Sequence, residues 1–367
     1  MPGWFPADGP TRPGAPGPKG RFFVRLRTGL RVLWRARDEV QIGTDPRWAV
    51  RLTDLSTPEI ELLRTLDDGA TARGLRAHAR ALGVTEARWE ALRGRLDQAQ
   101  VTMPDDARAR LAAGAVPPAT GPDAATWTRV LADGAGPALL AGRRERTVGL
   151  LGAGRLGLSM AVTLAAAGVG TVLVEDDLPV LPADLGVGGY TLRDLQTPRR
   201  EAAARVLRTV APAVCTTGPP GTRPDVMVLV EHGAADAYRG RVLLSTSVVH
   251  LSVVVREADV VVGPLVVPGA SACLRCLDLH RTDADGRWPA VAAQLAGTRA
   301  PAGAGEESVL AAIAGALAAG QVLAQLDGTG PRTRGAAFEI GLPDTVPRVR
   351  DWPVHPECGC TGLVRTR

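Results

Sequence analysis

The chain has 367 residues, 45% of them apolar, with a formal net charge of +5 and a mean hydropathy of +0.04. Such a balance excludes a chain that is disordered throughout and leaves room for two or three domains with cores of their own. Lysine occurs once, at Lys19, so nearly all the basic charge is arginine amid abundant Ala and Gly; the isoelectric point near 9.3 reads as coding bias rather than as the mark of a nucleic-acid partner, and none is expected.

Residues 1–20, "MPGWFPADGPTRPGAPGPKG", open with Pro and Gly rather than a basic and then apolar run. They read as a disordered tail and not as a secretory signal, which points to the cytoplasm. Residues 21–105 read as a small charged domain. "EVQIG", the turn Thr44-Asp45-Pro46 and "RWAVRL" predict a β-hairpin with alternating apolar positions. In "LSTPEIELLRTLDDG", Ser56 and Glu59 have capping-box spacing, Pro58 suits a first turn, and Leu62, Leu63 and Leu66 supply a buried face. A second short helix ends at Gly83, and a third carries Trp89, Leu92 and Leu96 on one stripe. A hairpin with three short helices is a winged-helix arrangement. Arg73, Arg76 and Arg80 fit a DNA backbone or a solvated helix face, and the hairpin edge fits an extended peptide added as a strand. The pattern leaves these three open.

A Pro/Gly/Ala-rich connector over 106–125 leads to an α/β domain over 126–367. In "RTVGLLGAGRLGLSMAVTLAAAGVGTVLVEDDL" an apolar strand runs into Gly152-x-Gly154-x-x-Gly157, a helix, a second strand and the acids Glu175, Asp176 and Asp177. Gly152 permits the tight turn, Gly154 lets a phosphate approach the backbone, and Gly157 lets helix and strand pack closely. The helix N-terminus offers free N–H groups to an anion, and Glu175 or Asp177 suits ribose hydroxyls. The same glycines also serve packing alone. Ser308–Leu326 is long enough for a membrane span, but its alanines and its Gln321 and Gln325 favour a helix buried in protein.

Four of the five cysteines come in two close pairs, Cys273-x-x-Cys276 and Cys358-x-Cys360. In a reducing compartment these read as metal ligands rather than disulfides and suit a closed tetrahedral zinc site of structural type, with His280 and His355 as spare ligands. Cys215 reads as a structural thiol.

A Rossmann-type unit followed by two cysteine pairs resembles the ThiF/MoeB-type adenylyltransferases, relatives of ubiquitin-activating enzymes. "GPLVVPGASACLRCLDLHRTDADGRWPAVAAQL" and "WPVHPECGC" look more specifically like the ThiF-like leader-peptide-binding proteins of azoline-forming cyclodehydratase systems. The resemblance implies an α/β, Rossmann-like ThiF-type domain with a structural zinc site, preceded by a small α+β winged-helix domain that captures a precursor leader peptide. It implies a YcaO-type cyclodehydratase as partner and a homodimer. ATP and Mg²⁺ are the ligands such a domain takes when it adenylates. This sequence departs from the adenylating pattern: Asp184-Leu185 replaces Asn-Leu with no following arginine, and Arg199 or Arg200 replaces a lysine. Glu231-His232-Gly233 stands where a Mg²⁺-associated aspartate belongs, leaving Glu231 and Asp225 as weak catalytic candidates. Arg143, Arg144 and Arg146 lie only near the domain start. A degenerate, non-catalytic scaffold is the expectation, with an active adenylyltransferase as the alternative. No residue is assigned to the leader from the sequence; Val40, Ile42 and the third helix around Trp89 are the places to look for its contacts.

Overall fold

The structure is a computed structural model; it describes residues 26–362 except 28, 47–48, 67–71, 103–116, 132–133, 187 and 296–305. The tail over residues 1–20 and most of the connector therefore lie outside the described residues. The chain divides into two compact units, residues 1–141 and 142–367.

In the first unit, β1 (Val32–Ala36), β2 (Glu39–Ile42) and β3 (Val50–Leu52) form an antiparallel sheet in the order β1-β2-β3. The hairpin of the sequence is β2–β3, and β1 covers its other side. Helices α1 (Thr57–Arg64), α2 (Ala72–Ala81) and α3 (Glu86–Gln98) follow. The capping box at α1 forms: the Ser56 N–H donates to Glu59 Oε2 at 2.6 Å, and the Ser56 hydroxyl donates to the same oxygen at 2.9 Å. Arg88 of α3 bonds the other oxygen of Glu59. These hydrogen bonds outweigh the burial that alone would raise it, and the Glu59 carboxyl sits below its ordinary range.

Val40, Ile42, Leu62, Leu63, Leu66, Leu75, Trp89, Leu92 and Leu96 form this unit's core. Val40 and Ile42 are fully buried and Trp89 nearly so, so these three side chains belong to the core. Of the spaced arginines, Arg76 pairs with Glu86 and Glu90 and Arg80 with Glu86, all from α3; the Arg73 side chain lies outside the described residues. Beyond α3, residues Gly121–Val130 form α4, so the last residues read as connector are helical, and α5 (Gly136–Arg144) carries the boundary between units.

The second unit holds a seven-stranded mixed sheet in the order β10-β9-β8-β7-β6-β4-β5. Its strands are β4 (Thr147–Leu151), β5 (Thr171–Glu175), β6 (Val226–His232), β7 (His250–Val255), β8 (Asp259–Val266), β9 (Ala336–Gly341) and β10 (Arg348–Asp351). The β5-β4-β6-β7 half is parallel, and β8, β9 and β10 add on antiparallel. The order steps from β4 outward to β5 on one side and β6 on the other, creating the crevice where open α/β sheets bind ligands.

The helices are α6 (Arg155–Ala166), α7 (Arg199–Val210), α8 (Ala237–Ser245), α9 (Leu274–Ala284), α10 (Trp288–Leu295) and α11 (Ser308–Leu326). Side chains alternate across the sheet: Val260 and Val262 join the main core, while Val261 packs with Leu277, Ala337 and Trp352. Helix α11 is long and apolar enough to cross a membrane by length and composition. Here its face of Leu310, Ala311, Ala314, Ala318, Ala319 and Val322 lies in the core with Leu156, Met160 and Leu164 of α6.

Candidate functional site at the carboxyl ends of the parallel strands

A cavity of about 530 Å³ opens where β4, β5 and β6 end. Leu151 and Gly152 come from β4 and its turn, Val174 and Glu175 from β5, and Val230 and His232 from β6; Gly154, Asp176, Asp177, Arg199, Arg200 and Glu306 complete the wall. The local sequence explains the turn. Gly152 has φ +87°, and a Cβ there would lie 2.5 Å from the Val230 carbonyl oxygen. A Cβ on Gly157 would lie 2.1 Å from the Gly152 carbonyl oxygen, so this glycine sets how closely α6 meets the strand turn.

The sequence-derived candidates divide. Gly152, Gly154, Glu175, Asp177 and Arg199 line this cavity together, with Gly157 packed beneath the turn. Asp225 and Glu231 do not join them. Asp225 precedes β6 at its amino end, where it pairs with Arg146 at 3.2 Å and accepts from the Thr147 N–H at 2.8 Å. Seven residues of extended chain, roughly 23 Å, separate it from the carboxyl end. Glu231 lies between two cavity-lining residues on a strand, so its side chain faces the opposite side. There it accepts from Arg239 at 3.0 Å and from the Asp236 N–H at 3.1 Å; burial, only partly offset by those bonds, raises its carboxyl above the ordinary range.

The anion-binding elements of the turn are already engaged. Asp176, adjacent to both acids singled out as ribose ligands, accepts from the Ala153 N–H at 2.8 Å and the Leu178 N–H at 3.0 Å. The Leu156 N–H in the first turn of α6 donates to Glu306 Oε2. The other Glu306 oxygen lies 3.3 Å from His232 Nε2 and would lie 2.8 Å from a Cβ on Gly154. Arg199 donates to Asp184 Oδ1 at 2.7 Å, to Asp184 Oδ2 at 2.8 and 3.0 Å, and to Asp176 Oδ2 at 3.1 Å. Burial alone would weaken the guanidinium's hold on its proton, but the two carboxylates raise its pKa overall. Tyr190 donates from its hydroxyl to the Ala153 carbonyl at 2.9 Å, or to that of Arg199 at 3.2 Å, and burial raises its pKa. Arg200 pairs with Asp177. Among the lining residues, four carboxylates thus face two guanidinium groups that are both paired. This lining does not fit a magnesium-bound triphosphate, which needs uncompensated cations at its oxygens.

Sequence reasoning missed Glu306 and gave Asp176 no separate role. Glu306 carries no local signal, because its partner Leu156 is 150 residues away. Asp176 lies among three consecutive acids, and only the geometry separates the one facing the turn. Two of the arginines near the domain start are engaged as well, Arg146 with Asp225 and Arg143 in a buried pair with Asp327 at 2.6 Å, the two side chains of that pair each 2% exposed.

The two cysteine pairs converge. Cys273 caps α9 and Cys276 lies in its first turn, while Cys358 and Cys360 bracket Gly359 at φ +63°. Sγ–Sγ separations are 3.9 Å for Cys273–Cys276 and 3.5 Å for both Cys273–Cys358 and Cys276–Cys360. A disulfide needs about 2.05 Å; tetrahedral zinc with Zn–S near 2.3 Å sets sulfurs about 3.8 Å apart. The donor set and its spacing fit such an ion. Burial pushes the Cys360 thiol up to about 12 and raises that of Cys358 too. For Cys276 burial is outweighed by hydrogen bonds from the His355 and Cys273 backbone and from the facing thiols, so its pKa falls. His280 and His355 form a separate group with Asp283. His355 Nε2 lies 2.9 Å from Asp283 Oδ2, and its Nδ1 accepts from the Glu357 N–H at 3.2 Å, so both ring nitrogens have other partners.

The family model described as the ThiF family matches residues 131–360. The chain belongs to the ThiF family. Among solved structures, this ThiF-family chain is similar to one described as E. coli MccB with ATP, at 15% identity and a TM-score of 0.68 over 92% of this chain and 99% of that one. A structure of the Microcin C7 biosynthetic enzyme MccB in complex with N-formylated MccA matches at 15% identity and a TM-score of 0.68, over 93% of this chain and all of that one. PaaA matches at 14% identity and a TM-score of 0.64, over 88% of this chain and 98% of that one. At these identities the likeness is one of fold. No curated protein matches the chain in sequence.

Proposed function

We propose that this ThiF-family protein is a peptide-presenting scaffold without turnover of its own. Its N-terminal unit, a winged-helix recognition domain, captures the leader of a ribosomally made precursor by adding it as a strand. In this reading β3 is the docking strand, because it stands at the hairpin's outer side of the sheet while β1 lies on the other side of β2. The protein then delivers the core to a YcaO-type cyclodehydratase in the cytoplasm, as a homodimer with zinc on its four cysteines.

The observation that carries the non-catalytic half is Arg199. The guanidinium that would meet phosphate charge is held by Asp184 and Asp176 instead. The peptide half draws support from a relative of the same fold solved with a peptide, N-formylated MccA.

A second reading, an active adenylyltransferase on a peptide C-terminus, draws on the similarity to MccB solved with ATP across nearly the whole chain. Pyrophosphate–ATP exchange with the full chain separates the two. Absence of exchange with Mg-ATP across a library of peptide C-termini is expected; exchange above background would overturn the scaffold reading. For the peptide half, selection of the full chain against a displayed peptide library should enrich binders whose affinity falls at least tenfold in an Arg51→Pro variant of β3. Binders indifferent to that change would refute strand addition there.

A further inference from the structure

Glu306 lies two residues ahead of α11, with its side chain 7% exposed. Its carboxylate is seated on the N-terminus of α6, above the glycine turn. One oxygen accepts from the Leu156 N–H; the other faces Gly154 and His232 Nε2. Arg155 ties the same segment to the start of α6, donating to the Glu306 carbonyl at 2.9 Å and to the Ser308 hydroxyl at 2.8 Å. A helix N-terminus behind a glycine turn attracts anions because its N–H groups are unpaired and its dipole is positive there. Here the chain supplies that anion itself. A phosphate at the same place would meet a buried carboxylate at hydrogen-bond distance, and like charges so close repel.

We propose that Glu306 is a specificity-determining residue that occupies the phosphate position of the cavity, so that the cavity accepts an unphosphorylated nucleoside and refuses its phosphate esters. The Glu175 carboxylate, with Asp177 beside its partner Arg200, stands in the lining for sugar hydroxyls, and the apolar walls of Leu151, Val174 and Val230 remain for a base. The inference rests on the non-catalytic reading of this cavity, but it fails separately: pyrophosphate exchange tests turnover, whereas the titration below tests only which ligand class enters.

The test is calorimetric titration of the full chain with adenosine and with ADP, for the wild type and for Glu306→Gln. Glutamine keeps the size and an oxygen for the Leu156 N–H while removing the charge. Wild type should bind ADP at least tenfold more weakly than adenosine. The variant should bind ADP at least tenfold more tightly than wild type, with adenosine affinity changed less than twofold. Wild-type ADP affinity equal to or above that for adenosine overturns the proposal. A folded variant with ADP affinity unchanged, or with ADP binding undetectable, overturns it too; with a lowered melting temperature, that outcome would make Glu306 a helix cap and nothing more. Should Glu306→Gln fail to fold, the wild-type ratio alone decides.

Discussion

Replacing Cys360 by Ser removes one sulfur from a tetrad whose four sulfurs all lie within 4.8 Å of one another, three of the separations being 3.5–3.9 Å and Cys360 itself 3.5 Å from Cys276. These separations bracket the roughly 3.8 Å edge of a tetrahedral zinc–thiolate site. The expected content is one zinc per chain in the wild type and well under half that in Cys360→Ser. The energy follows from linkage: an ion at about 1,000 times its dissociation constant stabilises the fold by about 4.1 kcal/mol. For a unit the size of residues 142–367, each kcal/mol moves the melting temperature by about 2–4 °C. Chelation of the wild type should therefore lower the melting point by about 8–16 °C, and Cys360→Ser should melt near the chelated protein with little further response to chelator. Metal analysis and scanning calorimetry with and without a strong chelator check this. Clearly less than one zinc per chain, or a melting point indifferent to chelator, would refute the reasoning from sulfur geometry.

Glu59→Gln keeps an amide oxygen for the Ser56 N–H but removes the charge that Arg88 bonds, and should destabilise the N-terminal unit by about 1–2 kcal/mol near neutral pH. Because the folded state holds the Glu59 carboxyl below its ordinary range, its stabilisation is complete above that range and is lost as pH falls through the lowered folded value, so the variant and wild-type curves should converge in acid; urea midpoints that stay parallel through the whole acid limb would contradict this. Arg143→Met leaves the Asp327 carboxylate buried and unpaired and should cost about 3–5 kcal/mol in urea unfolding. The double variant Arg143→Met/Asp327→Leu should recover most of that, and a single-variant cost below about 1 kcal/mol would count against the pair. Gly157→Ala forces a methyl group towards the Gly152 carbonyl 2.1 Å away and should cost about 1–3 kcal/mol, a wild-type urea midpoint being the contrary result.

The elements legible in the sequence carry their signal locally. The strand–turn–helix around Gly152 and Gly154, the capping box at Ser56 and the spacing within each cysteine pair all act within a few residues. What the sequence concealed depends on distant partners. Glu306 meets Leu156 across 150 residues, and Arg199 is neutralised by carboxylates 15 and 23 residues away. Strand β1 was invisible for another reason: only Val32 of its five residues is buried, so no apolar alternation marks it. Glu231 and Asp225 were drawn to the site by their closeness in sequence to a strand end. The two-residue alternation turns one to the far side, and strand length carries the other to the opposite edge. Val40, Ile42 and Trp89 looked available for a ligand, yet a small domain needs its few large apolar groups for its own core.

The glycine at position 315 gives α11 a mechanical meaning. A Cβ there would lie 3.1 Å from Ser159 Oγ, 3.2 Å from the Leu156 carbonyl oxygen and 3.3 Å from the Met160 nitrogen. The two helices thus touch nearly backbone to backbone, and neither can slide along the other without collision. Helix α11 behaves as a ruler registered against α6, and Glu306, just before its first turn, is the pointer at zero. The pointer's reach is set by a contact some nine residues along the scale, so adding a methyl group at Gly315 would shift the reading at the cavity without touching any residue that lines it.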